Sequence, residues 1–226
     1  MISFHYQPDS EHAIDTMAEQ LSSALAQGKR VVWLVCGGSN IPWVVACMNR
    51  LPTADTGTLT ICLTDERYGI PGHTDSNWTQ LDEAGFDRKQ ATIIPTLEAD
   101  TTLQDTCQHY GAAVTAALDQ AELVVAQFGI GGDGHIAGIL PNSPAVDSPQ
   151  PAVGYDAGKF MRITLTPSVL RHIDSAYALV YGETKRHALE QLRDQNLPLT
   201  DQPAQILKEI DDAHVYSDQF DKQENV

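Results

Sequence analysis

The sequence predicts an α/β protein with a doubly wound, mainly parallel sheet that has helices on both faces. Three observations lead to this prediction. Short continuous apolar runs, typical of strands buried on both faces, recur along the chain. Between them lie segments with apolar residues at helical spacing, and this alternation is the pattern of successive βα units. The length of 226 residues favours one domain, and we expect residues 1–226 to form it.

The predicted elements follow one another through the chain. Apolar runs predict strands at residues 31–36, 59–63, 91–94, 123–128, 161–165 and 176–181. Apolar stripes predict helices at residues 11–26, 103–118 and 184–192, and Pro42 favours the first turn of a further helix. The proline-rich stretch at 141–151 is predicted to be a surface loop, and the polar tail after Asp218 is predicted to fray.

Charge and composition argue against several classes of function. The chain has 14 Lys+Arg against 30 Asp+Glu, and its formal net charge of -16 repels phosphate backbones and anionic lipid. We therefore expect no nucleic-acid partner and no membrane partner. Four scattered cysteines, without a leader pattern before them, predict reduced thiols and a cytoplasmic location. No histidine pair has the spacing of metal ligands, so no metal site is predicted.

The carboxyl end of the predicted strand at 31–36 is followed by Gly37, Gly38, Ser39 and Asn40. In open α/β sheets, ligands bind beyond the carboxyl ends of the strands. Paired glycines before a helix allow backbone N–H groups to approach an anion. The alternative is an ordinary turn in which Ser39 or Asn40 caps the helix, and the segment alone does not separate the two.

A charged segment, Asp65, Glu66 and Arg67, follows the predicted strand at 59–63. Cations are few in this chain, so Arg67 at a strand end is a candidate phosphate ligand. The alternative is a solvated loop with an internal ion pair. The segment at 75–77 offers residues that cap the next helix, for which Ser76 is a suitable type.

A glycine-rich segment at 129–135 follows the predicted strand at 123–128 and contains Asp133 and His135. Its glycines formally match a dinucleotide-binding pattern, but neither a long helix nor a second acidic strand end follows. A histidine in such a loop, two residues after an aspartate, is a candidate general base. The alternative is a structural histidine.

These segments resemble the 6-phosphogluconolactonase family, within the wider group that includes glucosamine-6-phosphate deaminases/isomerases. The resemblance continues through residues 162–166 and 182–185 and covers nearly the whole chain. It implies a Rossmann-like fold of the lactonase type and hydrolysis of 6-phosphogluconolactone to 6-phosphogluconate in the oxidative pentose phosphate pathway. No cofactor is implied. The implied partner is a small phosphosugar lactone, and we expect a monomer or a weak homo-oligomer.

The resemblance also implies roles for individual residues. His135 would activate water, and Asp65 and Asp133 would lie beside the sugar ring, orienting His135 or the hydroxyls. The residues expected to bind the substrate or its phosphate are Gly37, Gly38, Ser39, Asn40, Arg67, Gly131, Gly132, Arg162 and Lys185. Backbone N–H groups of the turn at 131–134 are expected to stabilise an oxyanion. Arg162 matches a family arginine that either binds substrate or supports the structure.

Two other functions stay open. Related deaminases place a glutamate five residues after the histidine, where this chain has Leu140. A non-catalytic protein that binds sugar phosphates would use the same fold without the base. Asn40 replaces the usual threonine of the family, and the run at 136–142 departs from the family sequence, which puts the substrate in question.

Overall fold

The computed structural model describes residues 2–220, and the polar tail at 221–226 lies outside the described residues. The strands of the described chain are β1 (Ile2–Tyr6), β2 (Val31–Val35), β3 (Leu59–Leu63), β4 (Asp65–Arg67), β5 (Thr92–Ile93), β6 (Leu123–Phe128), β7 (Ala152–Asp156), β8 (Met161–Leu165), β9 (Ser175–Leu179) and β10 (Asp212–Ser217). Its helices are α1 (Glu11–Ala26), α2 (Ile41–Arg50), α3 (Asn77–Glu83), α4 (Leu103–Leu118), α5 (Pro167–Leu170) and α6 (Arg186–Asp194). No helix of this part of the chain is long and apolar enough to cross a membrane.

The central layer is a seven-stranded sheet in the order β1-β10-β9-β6-β2-β3-β5. Every pair of neighbouring strands in it is parallel. Helices cover both faces of this sheet, as two neighbouring residues of β2 show. Trp33 packs into the core on the side of α1 and α2, and Leu34 packs into the core on the side of α4 and α6. All five residues of β2 are buried. The prediction of a parallel sheet with helices on both faces is confirmed.

The strand order determines where a crevice opens in this fold. From β2 the chain proceeds to β3 and β5 on one side, then returns to β6 on the other side of β2 and continues to β9 and β10. The connections after β2 and β6 therefore diverge, which opens a crevice at the carboxyl ends of these two strands. Both glycine-rich segments singled out in the sequence lie at this crevice.

A second sheet contains β4, β8 and β7 in antiparallel pairing. The apolar run at 161–165 forms a strand as predicted, but it belongs to this small sheet and not to the parallel one. Only the last three residues of this strand are buried. Its apolar composition therefore indicated a buried strand but did not indicate which strand it pairs with. Thr64 joins β3 directly to β4, and its N–H donates to Val35 at 2.8 Å.

The loop predicted at 141–151 lacks helix and strand, although it buries Ala145 and Val146. The prediction that the chain frays after Asp218 is wrong at Phe220. That ring is buried and packs edge-on against Phe4, with 5.4 Å between ring centroids.

Candidate active site

A cavity of about 170 Å³ opens at the carboxyl edge of the sheet, where β2 and β6 lead into their glycine-rich loops. The predicted site residues that line it are Gly37, Gly38, Ser39, Asn40, Asp65, Arg67, Gly131, His135, Arg162 and Lys185. The other two, Gly132 and Asp133, lie outside the lining. The sequence did not single out five further lining residues, Cys36, Asn77, Gly129, Ile130 and Ala137, as site residues.

Asp133 supports His135 instead of lining the cavity itself. Its Oδ1 lies 2.6 Å from Nδ1 of the His135 ring and accepts the backbone N–H of His135 at 3.2 Å. Burial alone raises the pKa of Asp133, but the charge of the His135 ring and its hydrogen bonds outweigh burial and hold that pKa below its usual range. The ionised carboxylate of Asp133 can only accept a hydrogen bond, so Nδ1 of the neutral ring carries the proton and donates it, and the free lone pair is on Nε2.

Gly131 makes room for this pair. A Cβ at this position would lie 2.1 Å from Nδ1 of His135 and 2.4 Å from Oδ1 of Asp133, so only glycine fits beneath the ring. Gly134 adopts a φ of 80°, a left-handed conformation that glycine takes without strain. The glycines therefore serve to set the position of the base.

The same turn corrects one expectation from the sequence. The N–H of Gly131 donates to the carbonyl of His135 at 2.9 Å, and the N–H of Gly134 donates to the carbonyl of Gly131 at 3.0 Å. These two donors close the turn and are not free to stabilise an oxyanion, and the other two residues of the turn, Gly132 and Asp133, do not line the cavity. Gly132 instead allows a close approach to the backbone, because its Cβ would lie 2.8 Å from the carbonyl oxygen of Thr184.

The loop after β2 offers free donors. Gly38 begins a short 3-10 turn at Gly38–Asn40 that runs directly into α2. The N–H groups of Gly38 and Ser39 donate to no backbone carbonyl within residues 2–220. Two exposed donors at a helix N-terminus favour an anion. Neither Ser39 nor Asn40 caps the helix with its side chain.

The Asn40 side chain is directed into the protein. Its Nδ2 donates to the carbonyl of Leu179 at 3.4 Å, and its Oδ1 accepts from Gln127 at 3.5 Å. Asn40 is only 3% exposed. Its amide thus links the carboxyl ends of β6 and β9.

Two arginines face each other across the small sheet. Arg67 of β4 is in register with Arg162 of β8, and Asp65 two residues earlier is in register with Thr164. Like charges in register destabilise a strand pair unless an anion offsets them. Arg67 donates to the carbonyl of Asp75 at 2.7 Å, and its guanidinium lies 5.2 Å from the centre of the Phe160 ring. The pair is therefore suited to bind a negatively charged group.

Lys185 is half-buried at the cavity, just before α6, and has no carboxylate within 4.0 Å among the described residues. Five other cations each have a carboxylate within 3.4 Å, namely Arg30, Arg50, Arg88, Arg171 and Arg193. Lys185 and the two facing arginines therefore bring three cationic side chains to one cavity of an acidic protein.

Glu66 and Ser76 hold β4 against α3. Glu66 is fully buried and accepts from the N–H groups of Asn77 and Trp78 and from the Ser76 hydroxyl, at 2.6 Å, 3.2 Å and 2.9 Å. Burial raises the pKa of Glu66, and these hydrogen bonds offset part of that effect. Ser76 also caps α3, as predicted, by accepting from Thr79. Glu66 therefore has a structural role and does not face the cavity.

The Ser76→Ala variant is expected to lose about 2–3 kcal/mol of unfolding free energy, because it removes a helix cap and a hydrogen bond to a buried carboxylate. Urea unfolding of the variant and the wild type measures this difference in unfolding free energy. Thr102→Ala is the matched control, because Thr102 caps α4 in the same way but pairs with the exposed Asp105, so about 1 kcal/mol is expected. Equal losses in the two variants would contradict the role of the Glu66 contact.

Asn77 is a cavity residue that the sequence reasoning missed, because its segment was assigned to helix capping. Its Nδ2 donates to the carbonyl of Asp65 at 2.8 Å, while its buried Oδ1 has no partner among the described residues. A Cβ on Gly37 would lie 1.9 Å from that Oδ1. An asparagine directly after a capping serine, close to a strand end, was the available signal.

Comparisons with known proteins agree with this geometry. The family model described as glucosamine-6-phosphate isomerases/6-phosphogluconolactonase matches residues 9–216. A 6-phosphogluconolactonase from Xylella fastidiosa is 32% identical over 186 residues, which cover 75% of this chain and 74% of that protein.

Two solved structures share the fold at low identity. A crystal structure of a 6-phosphogluconolactonase from Shewanella baltica superposes with a TM-score of 0.81 at 18% identity, covering 96% of this chain and 97% of that one. A monomeric glucosamine-6-phosphate deaminase superposes with a TM-score of 0.77 at 17% identity, covering 95% and 96%. The fold is thus common to both activities. The chain belongs to the family of glucosamine-6-phosphate isomerases and 6-phosphogluconolactonases.

Proposed function

We propose that this chain hydrolyses 6-phospho-D-glucono-1,5-lactone to 6-phosphogluconate, with His135 as the base that activates water. The observation that carries the proposal is the Asp133–His135 pair at the edge of a cavity that also holds cations without carboxylate partners. The relative from Xylella fastidiosa bears the name 6-phosphogluconolactonase, and it matches three quarters of the chain.

The proposed step is the attack of water on the lactone carbonyl. Nε2 of His135 takes one proton from water as the new C–O bond forms, and Asp133 holds the ring in the required tautomer through Nδ1. The ring C–O bond then breaks, and its oxygen takes the proton from the imidazolium. Water and lactone supply every atom of the product acid, so the step uses no cofactor.

The phosphate is proposed to bind through donors on elements other than the loop that carries the base. The N–H groups of Gly38 and Ser39, with Arg67 and Lys185, provide donors of the kind that phosphate oxygens accept. Gly37 and the backbone of Asn40 complete this turn. Asp65 lies beside them, 7% exposed, where it can accept from sugar hydroxyls.

The wider setting is also proposed. β1 and β10 pair although they come from opposite ends of the described chain, which supports a single domain over residues 1–226. The four cysteines are free and buried, which suits the reducing environment of a cytoplasm. We propose a monomer or weak homo-oligomer that binds a small phosphosugar lactone and no nucleic acid or membrane.

The deaminase alternative is tested with glucosamine 6-phosphate. Leu140, at the position where related deaminases are expected to carry a glutamate, is half-buried against the core and has no group that transfers a proton. We expect no release of ammonia from glucosamine 6-phosphate at protein concentrations that hydrolyse the lactone. Ammonia release without any acceleration of lactone hydrolysis would overturn the proposal.

A further inference from the structure

The negative charge that develops on the lactone carbonyl lacks the donors that the sequence suggested. The N–H groups of Gly131 and Gly134 close the turn, the N–H of His135 is bound to Asp133, and the two remaining residues of the turn, Gly132 and Asp133, do not line the cavity. One well-placed oxyanion donor accounts for about 10²–10³-fold in kcat in enzymes that use one. An oxyanion that forms beside His135 therefore needs a donor from another element.

Arg162 of β8 is a donor of this kind. Its side chain is 16% exposed and lines the same cavity as His135. It donates no hydrogen bond to any residue within 2–220, and its Nε is shielded from solvent without a partner. A guanidinium has five N–H donors, and buried donors are ordinarily bonded. Unused donors at a cavity wall indicate that a ligand receives them.

The position of Arg162 is fixed relative to the loop that carries the base. A Cβ on Gly138, three residues after His135, would lie 2.8 Å from Cδ of Arg162, so the loop backbone touches the stem of the arginine. The N–H of Gly138 donates to Oγ1 of Thr164 at 3.0 Å, which joins the loop to β8. Such rigidity is what preorganised stabilisation of charge requires.

Arg162 also differs from its neighbour across the small sheet. The guanidinium of Arg67 is held by the Asp75 carbonyl and the Phe160 ring. The nearest carboxylate oxygen to Arg162 is Oδ2 of Asp65, at 3.9 Å from Nη1, which is too long for a hydrogen bond. Asp65 therefore reduces the repulsion between the arginines and leaves the donors of Arg162 free.

We propose that Arg162 donates hydrogen bonds to the oxyanion of the tetrahedral intermediate, an inference that rests on the proposed lactonase function. When water adds to the carbonyl carbon, the C=O π pair moves onto the carbonyl oxygen, and the proton of water passes to His135. When that pair returns, the ring C–O bond breaks and the ring oxygen takes the proton. Arg162 keeps its protons throughout.

The test separates an oxyanion donor from a phosphate ligand. Arg162→Met and Arg162→Lys are compared with Lys185→Ala in two measurements: kcat for 6-phosphogluconolactone, and Kd for glucitol 6-phosphate, which carries the phosphate but no carbonyl. We expect Arg162→Met to lose about 10²–10³-fold in kcat with less than about threefold change in Kd. The kcat of Arg162→Lys should lie between those of the wild type and Arg162→Met, because lysine retains the positive charge but lacks the planar set of N–H donors.

Lys185→Ala should show the reverse pattern, with a Kd raised by about tenfold or more, as expected when a charge-assisted hydrogen bond to phosphate is lost. The Arg162 proposal is overturned if its variants weaken glucitol 6-phosphate binding as Lys185→Ala does, or if they retain wild-type kcat. If Arg162→Met does not fold, Arg162→Lys decides by the same two measurements. Absence of lactone hydrolysis by the wild type would overturn the proposed function itself.

Discussion

The His135→Ala variant is expected to hydrolyse 6-phosphogluconolactone with a kcat lowered by at least about 10²-fold, because a positioned general base contributes roughly 10²–10⁴-fold. The variant should still fold, since the ring of His135 is one third exposed and, within residues 2–220, bonds only to its neighbour Asp133. Binding of glucitol 6-phosphate should be unchanged because the phosphate donors are on other elements. Initial rates with freshly generated lactone measure the effect.

His109→Ala is the matched control for this variant. His109 is also a histidine hydrogen-bonded to a carboxylate, that of Glu98, but it is exposed on α4 and does not line the cavity. Wild-type kcat is expected. If His135→Ala turned over the lactone as fast as His109→Ala, another group would have to be the base.

The Gly131→Ala variant is expected to lose about 10²-fold or more in kcat without any change to a chemical group of the site. The new methyl group would overlap both His135 and Asp133, so the base must move by about 1 Å or more, and displacements of that size cost about 10²-fold. The φ of Gly131 is not in the left-handed region, so the expected loss comes from the collision and not from backbone strain.

Gly57→Ala separates this effect from a general cost of replacing glycine. A Cβ on Gly57 would meet only the end of Gln90, at the ordinary distance of 3.6 Å. We expect wild-type kcat for Gly57→Ala, and a thermal unfolding midpoint within a few degrees of wild type for both variants. Wild-type kcat in Gly131→Ala would show that the position of the His135 ring is not critical.

The sequence predicted the central strands well for a physical reason. Strands such as β2 are buried on both faces, so every residue is apolar and the run stands out from its surroundings. The edge strand β1 and its neighbour β10 contain polar residues such as His5 and His214 and were missed. β4 was missed because its three residues are all charged, although two of them are buried.

The candidate site was predictable as a set of strand ends but not in its hydrogen bonding. Parallel strands bring their carboxyl ends together, which placed Ser39, Arg67 and His135 at one cavity. Which N–H groups of the glycine turn remain free depends on how that turn closes on itself, and this does not follow from composition. The position of Arg162, whose shielded Nε has no partner among the described residues, likewise depends on the register of two antiparallel strands that no apolar pattern indicated.

We propose that this cavity accelerates lactone hydrolysis and does not merely bind sugar phosphates. The most direct test follows the disappearance of freshly generated 6-phosphogluconolactone at several protein concentrations, with the spontaneous rate measured in buffer alone. We predict a rate that rises in proportion to protein concentration and yields 6-phosphogluconate. A rate equal to that in buffer, from protein that binds 6-phosphogluconate, would contradict the claim and identify a non-catalytic binding protein.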